Sequence, residues 1–120
     1  MADQLTAGQT AGNTKFELIE GDVELAPGVT LIYTPGHTVG HYSLLVEFGT
    51  RRPLLLTLDA AYTRKNYEND INAGFHIDPV AGVNSMRRLK QIEKEKNAEV
   101  LFSHDPESFK GYRTGVNFYG

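Results

Sequence analysis

The sequence predicts an α/β domain with a mostly antiparallel sheet and one long helix before the last strand. Between residues 16 and 58, short apolar segments alternate with turns that contain glycine, proline and acidic residues. Such hairpin-length connections favour antiparallel pairing, because a parallel pair needs a long crossover. A segment with helix-start signals and regularly spaced apolar residues follows near residue 78, ahead of a last strand candidate.

Five strand candidates precede the long helix. Each is rich in β-branched or apolar residues and is bounded by turn-forming residues. They cover residues 16–19, 23–25, 29–33, 42–48 and 54–58. The sixth candidate covers residues 98–102, and residues 60–77 are predicted to form a loop that includes a short turn of helix.

The long helix is predicted to begin at Pro79, because Asp78 is a suitable N-cap and proline is favoured at the first helical position. Val83, Met86 and Leu89 form its predicted packed face. The charged residues between 87 and 96 are interpreted as a solvated side and not as a binding patch. After the last strand, aromatic residues of the tail are expected to pack onto the body; they are Phe109, Tyr112, Phe118 and Tyr119.

Composition excludes several classes of function. The 120 residues carry a net charge of −3 without a basic block, so neither nucleic acid nor an anionic membrane is an indicated partner. No apolar run approaches the length that spans a bilayer. The chain has no cysteine, which excludes disulfides and thiolate zinc sites and is compatible with the predicted cytoplasmic location. Residues 1–15 are expected to be a flexible leader.

Residues of metal-ligand type follow three of the predicted strands. His37 lies after strand 29–33, Asp59 directly follows strand 54–58, and His104 follows strand 98–102. One such histidine alone would more often be a loop residue held by backbone hydrogen bonds. Because the arrangement recurs three times, it favours a shared site, and imidazole and carboxylate are the usual ligands of catalytic zinc.

Three motifs carry a resemblance to a known family. They are Thr-Pro-Gly-His-Thr-Val-Gly-His at 34–41, Leu-Thr-Leu-Asp-Ala-Ala-Tyr at 56–62 and Phe-Ser-His-Asp at 102–105. In this order they resemble the metallo-β-lactamase superfamily and, within it, the C-terminal part of the N-acyl homoserine lactonases. The resemblance covers about residues 16–105. It implies that residues 16–120 are the C-terminal part of a metallo-β-lactamase-like domain, which is the C-terminal half of an αββα sandwich.

The same resemblance shows a difference. The family's His-x-His-x-Asp-His motif, which supplies most ligands of a two-metal site, is absent from this chain. The chain is therefore expected to be a partial member, as a fragment, a truncated gene product or one piece of an assembled whole. Its partner would be the missing N-terminal half or, in a homodimer, a second copy.

The resemblance also implies roles for individual residues. His37 would bind one zinc ion, Asp59 would bridge two, and His104 would bind the second. Tyr62 would act with Asp59 in catalysis, by hydrogen bonding to the substrate carbonyl or the leaving oxygen. His41 is expected to fix the histidine loop by hydrogen bonding, and Asp105 to be a hydrogen-bonding partner of the site without binding metal. His76 is interpreted as an ordinary surface histidine.

The implied function is that of a metal-dependent hydrolase that opens the lactone ring of N-acyl homoserine lactones, the quorum-quenching reaction. The isolated chain is expected to bind metal weakly and to have little or no activity. Two alternatives stay open: another hydrolase of the superfamily, such as a glyoxalase II-like thioesterase, and a non-catalytic half-domain that assembles with a partner. The Asp-Ala-Ala-Tyr sequence at 59–62 favours the lactonase.

Overall fold

A computed structural model describes residues 15–120, so the predicted leader lies almost wholly outside the described residues. A single sheet has the strand order β1-β2-β3-β4-β5. Its strands are β1 Val23–Ala26, β2 Val29–Tyr33, β3 Tyr42–Val46, β4 Leu54–Leu56 and β5 Glu99–Leu101. The helices are α1 Arg64–Glu68, α2 Pro79–Lys96 and α3 Pro106–Phe109, and a 3-10 helix covers Leu58–Ala60. None of the helices in this part of the chain has the length and apolar character needed to cross a bilayer.

The mostly antiparallel sheet and the long helix before the last strand are confirmed. Strands β1 to β4 pair antiparallel in sequence order, and only β5 runs parallel to its neighbour, β4. The connection between those two parallel strands contains α2, as a parallel crossover requires.

One predicted strand is absent, and four others differ from the structure in their bounds. Residues 16–19 form no strand, and Phe16 and Leu18 are exposed. An alternating pattern is insufficient there because a strand also needs a paired neighbour. Strand β4 ends at Leu56, since the chain turns into the 3-10 helix and Leu58 adopts a positive φ of 50°.

Helix α2 begins at the predicted residue. The side chain of Asp78 accepts a hydrogen bond from the backbone N–H of Ala81 at 2.9 Å, which caps the first turn. Met86 and Leu89 are fully buried and Val83 packs against the core, so the predicted face is confirmed. Gly82 and Ser85 are also buried, although hydrophobic spacing gives no signal for such small or polar residues.

The two faces of the sheet have different environments. On one face, Leu45, Leu55 and Val100 are neighbours across three strands and form a buried core with Met86 and Leu89 of α2. On the other face, a row of leucines crosses four strands and keeps partial solvent exposure; it consists of Leu31, Leu44, Leu56 and Leu101. Paired residues of neighbouring strands lie on the same side of a sheet. The protein therefore has one buried and one partly exposed apolar sheet face.

The tail is only partly packed, which corrects the sequence prediction. The hydroxyl of Tyr112 accepts a hydrogen bond from the Phe102 backbone N–H at 2.6 Å, and Arg51 lies over the ring of Tyr119. Phe109 and Phe118 are exposed. Tyr112 is held through its hydroxyl, and the ring of Tyr119 is held by the Arg51 cation. The two phenylalanines have no hydroxyl and lie at the surface.

An ion pair joins the segment before β1 to the middle of α2. The guanidinium of Arg88 pairs with the carboxylate of Asp22 through both of its terminal nitrogens, and it also donates to the backbone oxygen of Tyr33 at 3.1 Å. The Tyr33 N–H donates to the same carboxylate at 2.9 Å. Hydrogen bonding from Arg88 lowers the pKa of Asp22 below its ordinary value.

Asp22→Asn is expected to lower the free energy of unfolding at pH 7 by about 1 kcal/mol, because the ion pair is partly exposed. The folded-state pKa of Asp22 lies below its unfolded value of 3.8. Its stabilisation is therefore fully present above that value and is lost as the pH falls through the folded-state pKa. Urea unfolding of both proteins at decreasing pH should show the difference shrinking under acid conditions. A difference that does not change with pH would assign the effect to something other than the charge.

Candidate metal centre

The three predicted ligands converge at one edge of the sheet. His37 follows β2, Asp59 lies in the 3-10 helix after β4, and His104 follows β5. The carboxylate of Asp59 lies between the two imidazoles. Its Oδ2 atom is 3.4 Å from Nε2 of His37, and its Oδ1 atom is 3.1 Å from Nε2 of His104.

These separations suit ligands of metal ions. Two donor atoms bound to the same zinc ion at about 2.1 Å, with tetrahedral or octahedral angles, lie about 3.0–3.4 Å apart. The two nitrogen–oxygen separations of 3.4 and 3.1 Å fall in that range. Within residues 15–120, no three His, Cys, Asp or Glu side chains are arranged around one point to hold an ion. The two carboxylate oxygens of Asp59 thus face different imidazoles.

His41 lies behind Asp59 and holds its backbone. Nε2 of His41 accepts a hydrogen bond from the Asp59 N–H at 3.1 Å. That nitrogen must be unprotonated, so Nδ1 carries the proton and faces Thr34, 2.9 Å from its hydroxyl and 3.1 Å from its carbonyl oxygen. Burial lowers the pKa of His41, which keeps the ring neutral. The side chain thus connects the histidine loop to the turn that carries the carboxylate.

Tyr62 lies beside the same ligands. Its ring centre is 4.2 Å from that of His104 and 6.0 Å from that of His37. The backbone N–H of His104 donates to the carbonyl of Tyr62 at 3.1 Å, which fixes the two residues relative to each other. Burial and the negative charge of Asp59 raise the pKa of Tyr62, so its phenol is a hydrogen-bond donor at neutral pH.

Asp105 is placed differently from the ligands. Its carboxylate caps α3 by accepting from the backbone N–H groups of Glu107 and Ser108, both at 3.2 Å. It also accepts from the N–H of Arg64 at 2.9 Å. These bonds connect the segment after His104 to the first residue of α1.

The interpretation of His76 as a surface histidine was wrong. Its ring packs 5.3 Å from the ring of His37, and both of its ring nitrogens are buried. The loop that carries His76 folds back because Asp78 donates its N–H to the carbonyl of Gly36 at 3.0 Å. Phe75, also missed from the sequence, lies 6.0 Å from the His37 ring and 5.9 Å from that of Tyr62. In the sequence, Gly82 is a signal of this close contact, because a glycine inside a predicted helix often has a packing reason. The structure shows that it is buried.

Comparison with known proteins finds relatives that are N-acyl homoserine lactonases. No protein-family model matches the chain. An N-acyl homoserine lactonase from a Bacillus species is 46% identical over 100 residues, which are 82% of this chain and 39% of that protein. The N-acyl homoserine lactonase AiiA of Bacillus thuringiensis subsp. kurstaki is 44% identical over 99 residues, 82% of this chain and 39% of that protein. The N-acyl homoserine lactonase AttM of Rhizobium radiobacter is 40% identical over 91 residues, 76% of this chain and 35% of that protein.

Solved structures give the same result for the fold. A quorum-quenching N-acyl homoserine lactone lactonase superposes with a TM-score of 0.79 and 39% identity, covering 86% of this chain and 42% of that one. An N-acyl homoserine lactone hydrolase, with the product N-hexanoyl-L-homoserine at its catalytic metal centre, has a TM-score of 0.75 and 42% identity, covering 81% and 38%. This chain spans about two fifths of the length of the curated relatives it matches. About four fifths of this chain is thus related to one part of the N-acyl homoserine lactonases, and it has the metallo-β-lactamase fold that those proteins have in the matching part.

Proposed function

We propose that this chain supplies part of a two-metal hydrolytic centre that opens the lactone ring of N-acyl homoserine lactones. The observation that carries the proposal is the carboxylate of Asp59 between two imidazoles, 3.4 Å from His37 and 3.1 Å from His104. A relative that is 42% identical holds the product of this reaction at its catalytic metal centre, which supports the assignment.

The residues of this chain would have distinct roles. His37 and His104 would hold different zinc ions, and Asp59 would help to hold both. When bound, the two ions would polarise the lactone carbonyl and activate water. The protonated phenol of Tyr62 would donate a hydrogen bond to the carbonyl oxygen of the substrate or to the leaving oxygen. His41 would hold Asp59 in place through its backbone N–H.

The chain by itself is expected to bind zinc weakly and to show little turnover. These three residues would offer each ion two donors, whereas a catalytic zinc site has three protein ligands. Elemental analysis after dialysis against zinc, and melting temperatures with and without chelator, would test this on the purified 120-residue chain. Tight zinc binding together with rapid hydrolysis of N-hexanoyl homoserine lactone would contradict the expectation of weakness.

Asp59→Asn is expected to weaken zinc binding more than any other single change, because the carboxylate would serve both ions. Isothermal titration at high protein concentration would compare it with wild type, with an expected loss of at least about tenfold. Asp70→Asn is the matched control, since Asp70 is paired with Arg87 and Lys90 away from the centre. Equal zinc binding by the Asp59 variant and wild type would overturn the site assignment.

The substrate class needs its own test. A glyoxalase II-like thioesterase would use similar ligands, so turnover of a lactone must be compared with turnover of a thioester. A chimera in which this chain replaces the matching segment of AiiA would provide a complete centre for that comparison. Preference for the lactone is expected, and a preference for the thioester would favour the alternative. The cytoplasmic location stays a prediction.

A second function, that of a half-domain assembling with a partner, is favoured by the partly exposed leucine row on one sheet face. We propose that its occupant is a second sheet with an apolar face, contributed by the part of a lactonase that this chain does not span. Sedimentation analysis with and without such a partner fragment would measure the association. A stable homodimer whose mass does not change with chelator would instead assign the sheet face with the leucine row to a second copy of the chain.

A further inference from the structure

Four buried polar atoms around His37 share one property. They have no hydrogen-bond partner among the described residues; they are Nδ1 of His37, Oδ1 of Asn72, and both Nδ1 and Nε2 of His76. Buried polar groups in folded proteins are almost always paired. Four such atoms on three neighbouring side chains therefore need a common explanation.

The three side chains are close enough to pair with one another. The ring centres of His37 and His76 are 5.3 Å apart and the rings are inclined by 70°. Two imidazoles joined by a nitrogen–nitrogen hydrogen bond of about 2.9 Å have ring centres about 5 Å apart, close to the separation of these two rings. On its other side, His76 lies next to Asn72 over Gly82. Cδ2 of His76 is 2.9 Å from the point that a β-carbon on Gly82 would occupy, and Oδ1 of Asn72 is closer to that point.

The orientation of the amide is already fixed. The Nδ2 group of Asn72 donates to the backbone oxygen of Pro79 at 2.7 Å, so Oδ1 is the atom left to accept a hydrogen bond. On His76, Cδ2 is bonded to Nε2, so Nε2 is the ring nitrogen assigned here to Asn72, and Nδ1 is the one assigned to His37.

We propose that Asn72, His76 and His37 form a hydrogen-bonded relay. Nδ1–H of His37 donates to His76, and the N–H on the other ring nitrogen of His76 donates to Oδ1 of Asn72. Two donors meet two acceptors, so all four atoms are satisfied with both imidazoles neutral. His76 is thus a positioning residue that acts through His37.

The relay has a consequence for the metal centre, and that consequence rests on the proposed function. With its proton on Nδ1, His37 presents the Nε2 lone pair toward Asp59, which is the form that a metal ion binds. Asp59 competes for the proton, but its Oδ2 atom is 3.4 Å from Nε2, beyond the usual range of about 2.7–3.2 Å for such a bond. We therefore expect the relay to decide the tautomer.

Two variants separate hydrogen bonding from packing. His76→Phe keeps an aromatic ring beside His37 but removes both nitrogens. His76→Gln offers an oxygen to accept from His37 and an amide N–H to donate to Asn72, so it can rescue the relay. Melting temperatures would show whether each variant folds. In the spectra that identify the protonated nitrogen of His37, the ring of His104 serves as the internal reference.

Long-range ¹H–¹⁵N spectra of the metal-free chain would identify the protonated nitrogen of His37. The expected result is Nδ1–H in wild type and in His76→Gln, and a shift toward Nε2–H in His76→Phe. Zinc titration should show about a tenfold weaker affinity for His76→Phe and recovery in His76→Gln. A wild-type tautomer at Nε2, or an unchanged tautomer in His76→Phe, would overturn the relay. If wild type bound no zinc while the tautomers behaved as expected, the relay would stand and the metal centre would fail.

Discussion

Gly36→Ala is expected to destabilise the fold by about 3 kcal/mol or more. Gly36 has a φ of +143°, a conformation that side chains disfavour. A β-carbon there would overlap the backbone Cα and N atoms of Gly82 and lie 3.2 Å from the carbonyl carbon of Ala81. Because these are main-chain atoms, the histidine loop and α2 would have to separate, and His37 would move with the loop.

Urea unfolding of Gly36→Ala and Gly40→Ala measures this effect with a matched control. Gly40 lies in the same loop, is exposed, and has no heavy atom within 4 Å of its would-be β-carbon. Its substitution should change the free energy of unfolding by no more than about 0.5 kcal/mol. Similar losses in the two variants would mean that loop flexibility, and not the contact with α2, determines the cost.

The elements that could be predicted from the sequence are those with local signals. β2 was predicted to the residue because Val29 to Tyr33 is β-branched or apolar and a proline-glycine turn follows closely. The start of α2 was correct because the Asp78 cap and Pro79 act over one turn. The strand predicted at residues 16–19 was wrong, because a strand needs a neighbour to pair with and the local pattern of apolar residues does not encode that neighbour.

The candidate centre shows the same division. The proximity of His37, Asp59 and His104 could be predicted because each follows a strand. Strands β2, β4 and β5 run in the same direction, so their C-terminal ends lie at one edge of the sheet. His76 was missed because its position depends on the contact between Gly36 and Gly82, residues far apart in the sequence. A close approach of two glycines leaves no hydrophobic pattern, so the folded-back loop could be located only in three dimensions.

His41→Leu is expected to lower the free energy of unfolding by about 2–3 kcal/mol, because buried polar groups would lose their partner. The variant removes Nε2, which accepts from the Asp59 N–H at 3.1 Å. It also removes Nδ1, which donates to the Thr34 hydroxyl at 2.9 Å. Leucine has a similar volume, so the loss reports hydrogen bonding more than packing. Thermal and urea unfolding would measure it, and zinc affinity should fall as well because the turn that carries Asp59 is released.

His104→Leu is the informative comparison, because the same substitution then falls on a proposed metal ligand and not on a residue that supports the Asp59 backbone. The side chain of His104 is 55% exposed, and its contact with Asp59 is a single hydrogen bond of 3.1 Å. Its loss should change the free energy of unfolding by no more than about 0.5 kcal/mol, while zinc binding falls. A histidine that stabilises the fold and one that binds metal are thereby separated by two measurements. If both variants were equally destabilised, His104 would belong to the scaffold, and the assignment of Asp59 as a shared ligand would lose its second partner.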